Sequence, residues 1–134
     1  MLTEKTDQLI ISKKDFDTLN NYLQGLGGIK PDSPINRLRQ EIEQARLIDD
    51  EDFPINVVQL YHQATIKEQK SNYKYAYTVV LPEHADHKKC RVSVASALGA
   101  SLLGRSVGEH IEWNIGTVQR MFVILSVSAN RMKM

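Results

Sequence analysis

Apolar positions in the first third of the chain recur at helical spacing. Phe16, Leu19, Leu23 and Leu26, with Tyr22 beside them, mark one amphipathic helix. Ser12 stands where a capping hydroxyl takes an orphan amide, and Asp15 places a carboxylate in the first turn, a capping-box-like start. The stretch "GLGGIKPDSP" then breaks the pattern, because Gly25, Gly27, Gly28 and Pro31 do not sustain a helix. Ser33 is the next candidate N-cap, Pro34 fits the first helical position, and Ile35, Leu38, Ile42 and Ala45 form a second stripe. Two short amphipathic helices joined by a loop predict an antiparallel hairpin, a short coiled coil about 20 Å long. The alternative is that both stripes are buried on the core of the second half.

The acidic run Asp49–Asp52, closed by Phe53-Pro54, ends the helical pattern and predicts a hinge. The chain is accordingly divided into an arm, 1–52, and a body, 53–134. Beyond the hinge the period falls to two. Leu60, His62, Ala64 and Ile66 form one alternating run, and Tyr73, Tyr75, Tyr77, Val79 and Leu81 a second. Cys90, Val92 and Val94 predict a third strand, Ile111, Trp113 and Ile115 a fourth, and Met121, Val123, Leu125 and Val127 a fifth, with Gly116-Thr117 turning between the last two. Only Ser96–Leu103 interrupts this series, reading as a short helix with a serine at its start and Gly104 just past its end. Its small residues, Ala97, Gly99, Ala100 and Ser101, suit close approach to a sheet, while Leu102 and Leu103 supply burial. The fold class is α+β.

With 134 residues the chain suits one compact body with at most an arm. Its 17 basic and 16 acidic residues leave a net charge of +1, which removes any argument for broad capture of nucleic acid or membrane. No apolar run approaches the roughly 20 residues that span a bilayer. One cysteine and an N-terminus without a leader pattern predict a cytoplasmic protein.

Several constellations bear on chemistry. His84, Asp86, His87 and Cys90 fall within one short stretch, but zinc spacing calls for a second ligand pair, and a solvated turn is the simpler reading. Cys90 alternates with Val92 and Val94, which predicts a buried, inert thiol. Gly25, Gly27 and Gly28 lack the strand-to-helix context of a phosphate loop. Lys88, Lys89 and Arg91 make a small basic cluster, by default a charged turn. The alternating tyrosines are assigned to cross-strand packing rather than base stacking.

The segment "LGASLLGRSVGEHIEW" carries a resemblance. Leu102, Leu103, Gly104, Arg105, Val107, Gly108 and Glu109 resemble the C-terminal signature of the bacterial Gre transcript-cleavage factors and their shorter relative Rnk, and Trp113 is more similar to the latter. The resemblance implies an FKBP-like antiparallel β-sheet domain with one short helix, carrying the hairpin. It implies a non-enzymatic transcription regulator whose partner is RNA polymerase, with the body docking at the rim of the secondary channel and the arm pointing inward. Nucleic-acid contact would be at most indirect, and a monomer is expected. In the cleavage factors acidic residues at the arm tip help hold a catalytic metal ion. Here the tip offers only Asp32, with Lys30 close by, which is poor chemistry for a hard divalent cation. No metal and no cofactor is therefore expected, and the chain is read as competing with cleavage factors without stimulating cleavage. In the family an Asp-Ser-Pro-like tripeptide before the small-residue helix contributes to docking. The corresponding positions are Ala95, Ser96 and Ala97; with Leu98 and Asp32 they form the expected partner-binding set. The alternatives are a prolyl isomerase with an apolar pocket at Trp113, and a protein-interaction regulator of nucleoside metabolism.

Overall fold

A computed structural model describes residues 8–28, 30–114 and 116–129. Ile115 of the fourth expected strand and the C-terminal "RMKM" lie outside the described residues. The elements run β1 (Ile10–Ser12), α1 (Lys13–Gln24), α2 (Pro34–Glu43), β2 (Arg46–Ile48), β3 (His62–Glu68), β4 (Lys74–Val80), β5 (Arg91–Ser93), α3 (Ala97–Leu102), β6 (His110–Glu112) and β7 (Met121–Ala129). Single 3-10 turns occupy Asp50–Asp52, Pro82–His84 and His87–Lys89.

Among the described residues all three α-helices begin where a serine hydroxyl satisfies a free amide. Ser12 accepts from the Asp15 amide at 3.1 Å, Ser33 from Asn36 at 3.2 Å, and Ser96 from Gly99 at 3.1 Å. The Asp15 carboxylate does not close a capping box. It reaches across to accept from the Leu60 amide at 3.0 Å, tying the start of α1 to the approach to β3.

The helices do not form an arm apart from the body. Leu19 and Leu23 of α1 and Ile35, Leu38 and Ile42 of α2 belong to the same buried cluster as Leu60, Leu98, Leu102 and Phe122. The core thus runs across the expected boundary at residues 52 and 53, which corrects the expectation of a free-standing prong. The physical reason is area: stripes this short stabilise more by adding to a large apolar core than by facing only each other. Beside them β1 and β2 form a small parallel pair, and the Ile10 amide donates to the Gly104 carbonyl at 3.2 Å.

The main sheet has the order β5-β4-β3-β7-β6. It is antiparallel except at one edge, where β5 pairs in parallel with β4. An all-antiparallel sheet was expected. The two 3-10 turns at 82–84 and 87–89 carry the chain back before β5 begins, so it enters in the same direction as β4. In β7 the core side is Phe122 and Ile124, not Met121, Val123 and Leu125. Ile66 pairs with Ile124 but Thr65 with Ser126, so Leu125 is the extra residue of a bulge, after which Val127 returns toward the core.

α3 lies hard against the sheet. A Cβ on Gly99 would stand 2.0 Å from the Ser93 carbonyl oxygen, so only glycine fits there. Gly104, at φ +79, turns the chain out of Leu102-Leu103, both fully buried. Each such leucine stabilises by about 1.5–3 kcal/mol. Cys90 departs from expectation: it is exposed, has left-handed φ 56, and ends the turn before β5 rather than lying on a strand face. No helix among the described residues is long and apolar enough to cross a membrane.

Candidate partner-binding site

A cleft of about 390 Å³ opens where α2, α3 and β6 meet. The cap at Ser33 starts α2 and leaves Asp32 at the mouth, while Arg37, Leu38 and Glu41 follow along one wall. Ala97, Ala100 and Ser101 of α3 form the second wall, and Arg105 with His110–Asn114 completes the lining. Arg105 pairs with Glu41 at 3.2 Å and Glu109 at 3.7 Å, so the basic residue of the Leu-Leu-Gly segment ties α2 to the loop before β6. Trp113 packs against Phe122 at 5.7 Å between ring centroids and stands perpendicular to Tyr77 at 6.0 Å. Tyr75 and Tyr77 stack at 6.4 Å and belong to this aromatic group, whereas Tyr73 is 67% exposed and does not. A prolyl-isomerase reading needs an apolar pocket at Trp113; the walls here carry Asp32, Arg37, Glu41 and His110.

The expected partner-binding residues divide unequally. Asp32 and Ala97 are exposed and share the cleft, although 65 positions separate them in the chain. Ala95 is half-buried, its amide donating to the Ser93 hydroxyl at 2.9 Å. The Ser96 hydroxyl is committed to the helix cap and donates to the Ser93 carbonyl at 2.6 Å. Leu98 is only 3% exposed and belongs to the core, which corrects its placement on a docking surface: the first turn of α3 points it into the sheet. Arg37, Arg105 and His110 were not foreseen as neighbours, because the meeting of α2, α3 and β6 around one cleft leaves no local trace in the sequence.

A second depression, about 550 Å³, lies between the helices and is floored by Phe16, Leu23, Ile42 and Leu47, with Arg39 and Glu43 on its rim. No group of three or more His, Cys, Asp or Glu that could hold a metal ion occurs among the described residues. His84 instead bonds through Nδ1 to the Tyr61 hydroxyl at 2.7 Å, and Asp86 accepts from the Lys88 amide at 3.1 Å. Burial pushes the Asp15 carboxyl up to about 6 against the opposing pull of the Leu60 amide and Lys14. Glu68 is held below the usual range by the Ser71 hydroxyl and by Arg120, which grips it at 2.6 and 2.9 Å and joins β3 to the approach to β7.

Residues 54–129 match the family described as "Transcription elongation factor, GreA/GreB, C-term". The chain is 34% identical over 94 residues to the transcription elongation factor GreA of Flavobacterium johnsoniae, covering 70% of this chain and 60% of that one. It is 30% identical over 95 residues to GreA of Treponema pallidum, covering 71% and 59% respectively. The chain thus spans about 60% of the length of the curated relatives it matches. Among solved structures, the prokaryotic transcription elongation factor GreA/GreB from Nitrosomonas europaea superposes with a TM-score of 0.79 at 25% identity, covering 92% of this chain and 99% of that one. Gfh1 of Thermus aquaticus shares the fold, with a TM-score of 0.51 at 15% identity over 92% of this chain and 99% of its own.

Proposed function

Because the chain belongs to the GreA/GreB transcription elongation factor family through its C-terminal domain, we propose that it regulates transcription by binding RNA polymerase at the secondary channel, in competition with cleavage factors and without stimulating transcript cleavage. The observation that carries the reading is the match over residues 54–129, which includes the Leu-Leu-Gly segment. Its parts are well supported physically: Leu102 and Leu103 anchor α3, Gly104 makes the turn, and Arg105 joins α2 to the body.

The chemistry between the helices supports the proposed absence of cleavage. In the stretch from Gly25 to Ser33, Asp32 is the single acid and Lys30 lies two residues away. A hard divalent cation is held by several oxygens and is repelled by an adjacent ammonium. The other acids lining the cleft do not supply a set, since Glu41 is engaged by Arg105 and Glu112 accepts from the Gln119 amide. Occupancy of the channel, not chemistry within it, is then the mode of action.

The test is addition of the purified chain to stalled elongation complexes. Transcript 3′ ends stay intact if the reading is right, and release of short 3′ fragments at rates above polymerase alone overturns it.

A further inference from the structure

The function above leaves unused the basic turn between β4 and β5. His87, Lys88 and Lys89 are exposed on a 3-10 turn, and Arg91 follows at the start of β5. Among the described residues none of Lys88, Lys89 and Arg91 forms an ion pair. Of the nearby carboxylates, Asp86 accepts from the Lys88 amide at the start of the turn and Glu83 lies 3.7 Å from His84, and neither forms an ion pair with Lys88, Lys89 or Arg91.

The turn is also stiff. Asp86 and Arg91 exchange two backbone hydrogen bonds of 3.0 Å each, the Lys89 amide donates to the Asp86 carbonyl at 3.0 Å, and the Thr78 amide donates to the Cys90 carbonyl at 3.0 Å. The Asp86–Arg91 bridge occupies outward-facing backbone groups of β5, so a partner meets side chains here rather than an open sheet edge. Holding like charges together in a fixed loop costs self-repulsion, and a chain of net charge +1 has no general excess of base to explain it. That cost is recovered when an anionic surface docks.

Resting on the reading that the chain binds polymerase, we infer that the turn His87–Arg91 is an electrostatic docking point for an acidic segment of the partner protein. A protein segment fits better than nucleic acid. The turn is a single point of cations, whereas a phosphate backbone is followed by an extended basic track interleaved with stacking rings, and the exposed Tyr73 stands five positions before Thr78, the residue that pairs with Arg91.

The experiment compares the full chain with the double variant Lys88→Glu/Lys89→Glu and with Lys13→Glu/Lys70→Glu, an equal charge change at exposed sites elsewhere. Association with core RNA polymerase is followed at low and high salt. The turn variant should associate about tenfold more slowly at low salt, with the difference fading at high salt, and the control should stay near the parent. Equal slowing of both variants, or of neither, overturns the inference. A second arm, independent of polymerase, titrates the chain by NMR with oligoglutamate and with oligothymidylate of the same length. Shifts centred on residues 87–91 with oligoglutamate support it; no response there, or tighter binding of oligothymidylate, overturns it. Failure of the parent chain to bind polymerase would instead sink the functional reading and leave the titration to decide the site.

Discussion

Replacing Asp15 with asparagine isolates the cost of a buried charge at the joint between α1 and the body. Asp15 is 7% exposed, and its oxygen accepts from the Leu60 amide at 3.0 Å. Burial raises its carboxyl from the ordinary 3.8 to about 6. The folded state therefore holds this proton more tightly than the unfolded chain. Its contribution to stability is fully present below 3.8 and is lost as pH rises through about 6. At 1.36 kcal/mol per pKa unit, the ionised form costs roughly 3 kcal/mol at neutral pH.

Asparagine keeps an acceptor for Leu60 and carries no charge, but its amide protons lack an evident partner, a loss of about 1 kcal/mol. Asp15→Asn should then be about 1 kcal/mol less stable than the parent near pH 3 and about 2 kcal/mol more stable near pH 8, a swing of about 3 kcal/mol. Urea unfolding of both proteins across that range reads the difference directly. The comparison is needed because His62, whose pKa is lowered by burial and by Lys14, weakens the fold in the opposite direction as pH falls. Taking the difference cancels that contribution. A difference that stays constant between pH 3 and 8, or runs the other way, refutes the reasoning.

Two further substitutions test the backbone. Gly99→Ala sets a methyl 2.0 Å from the Ser93 carbonyl and should cost at least about 3 kcal/mol in denaturant unfolding, or prevent folding; a loss below about 1 kcal/mol would mean that α3 does not lie against β5 as described. Cys90→Gly relieves a left-handed conformation at an exposed position and should raise stability by about 0.5–1 kcal/mol, the strain removed less the added entropy of the unfolded chain; a loss of stability would show that the side chain contributes more than its strain.

What was legible in the sequence was local. Ser12, Ser33 and Ser96 cap helices because a hydroxyl three residues ahead of an orphan amide needs nothing from elsewhere in the chain. The small-residue pattern of α3 was legible for the same kind of reason, since Gly99 answers to a close approach that larger residues exclude. The phase of β7 was not, because Met121–Leu125 is apolar on both faces and the bulge at Leu125 is set by pairing with β3. Cys90 looked like part of an alternating strand, yet a 3-10 turn ends there. The parallel entry of β5 depends on a crossover that alternation does not record.

The site divided along the same line. Asp32 and Ala97 were each identified from the segment they sit in, but the cleft that unites them with Arg37 and Arg105 exists only once α2 packs on α3. Leu98 was placed in the docking set because it follows the tripeptide positions of the resemblance; a six-residue helix on a sheet must turn some side chain inward, and Leu98 is one that it buries. The family signature around Leu102–Glu109 was legible because the turn at Gly104 and the pairing of Arg105 constrain residue type position by position.

The central claim, occupancy of the polymerase secondary channel, is most directly tested by displacement. A fluorescent cleavage factor is bound to core RNA polymerase, and the unlabelled chain is titrated in while anisotropy is followed. The account predicts release of the labelled factor to completion, with a midpoint that rises in proportion to the labelled factor's concentration. Anisotropy that stays unchanged at saturating chain, with the chain bound elsewhere on polymerase or not at all, would contradict it.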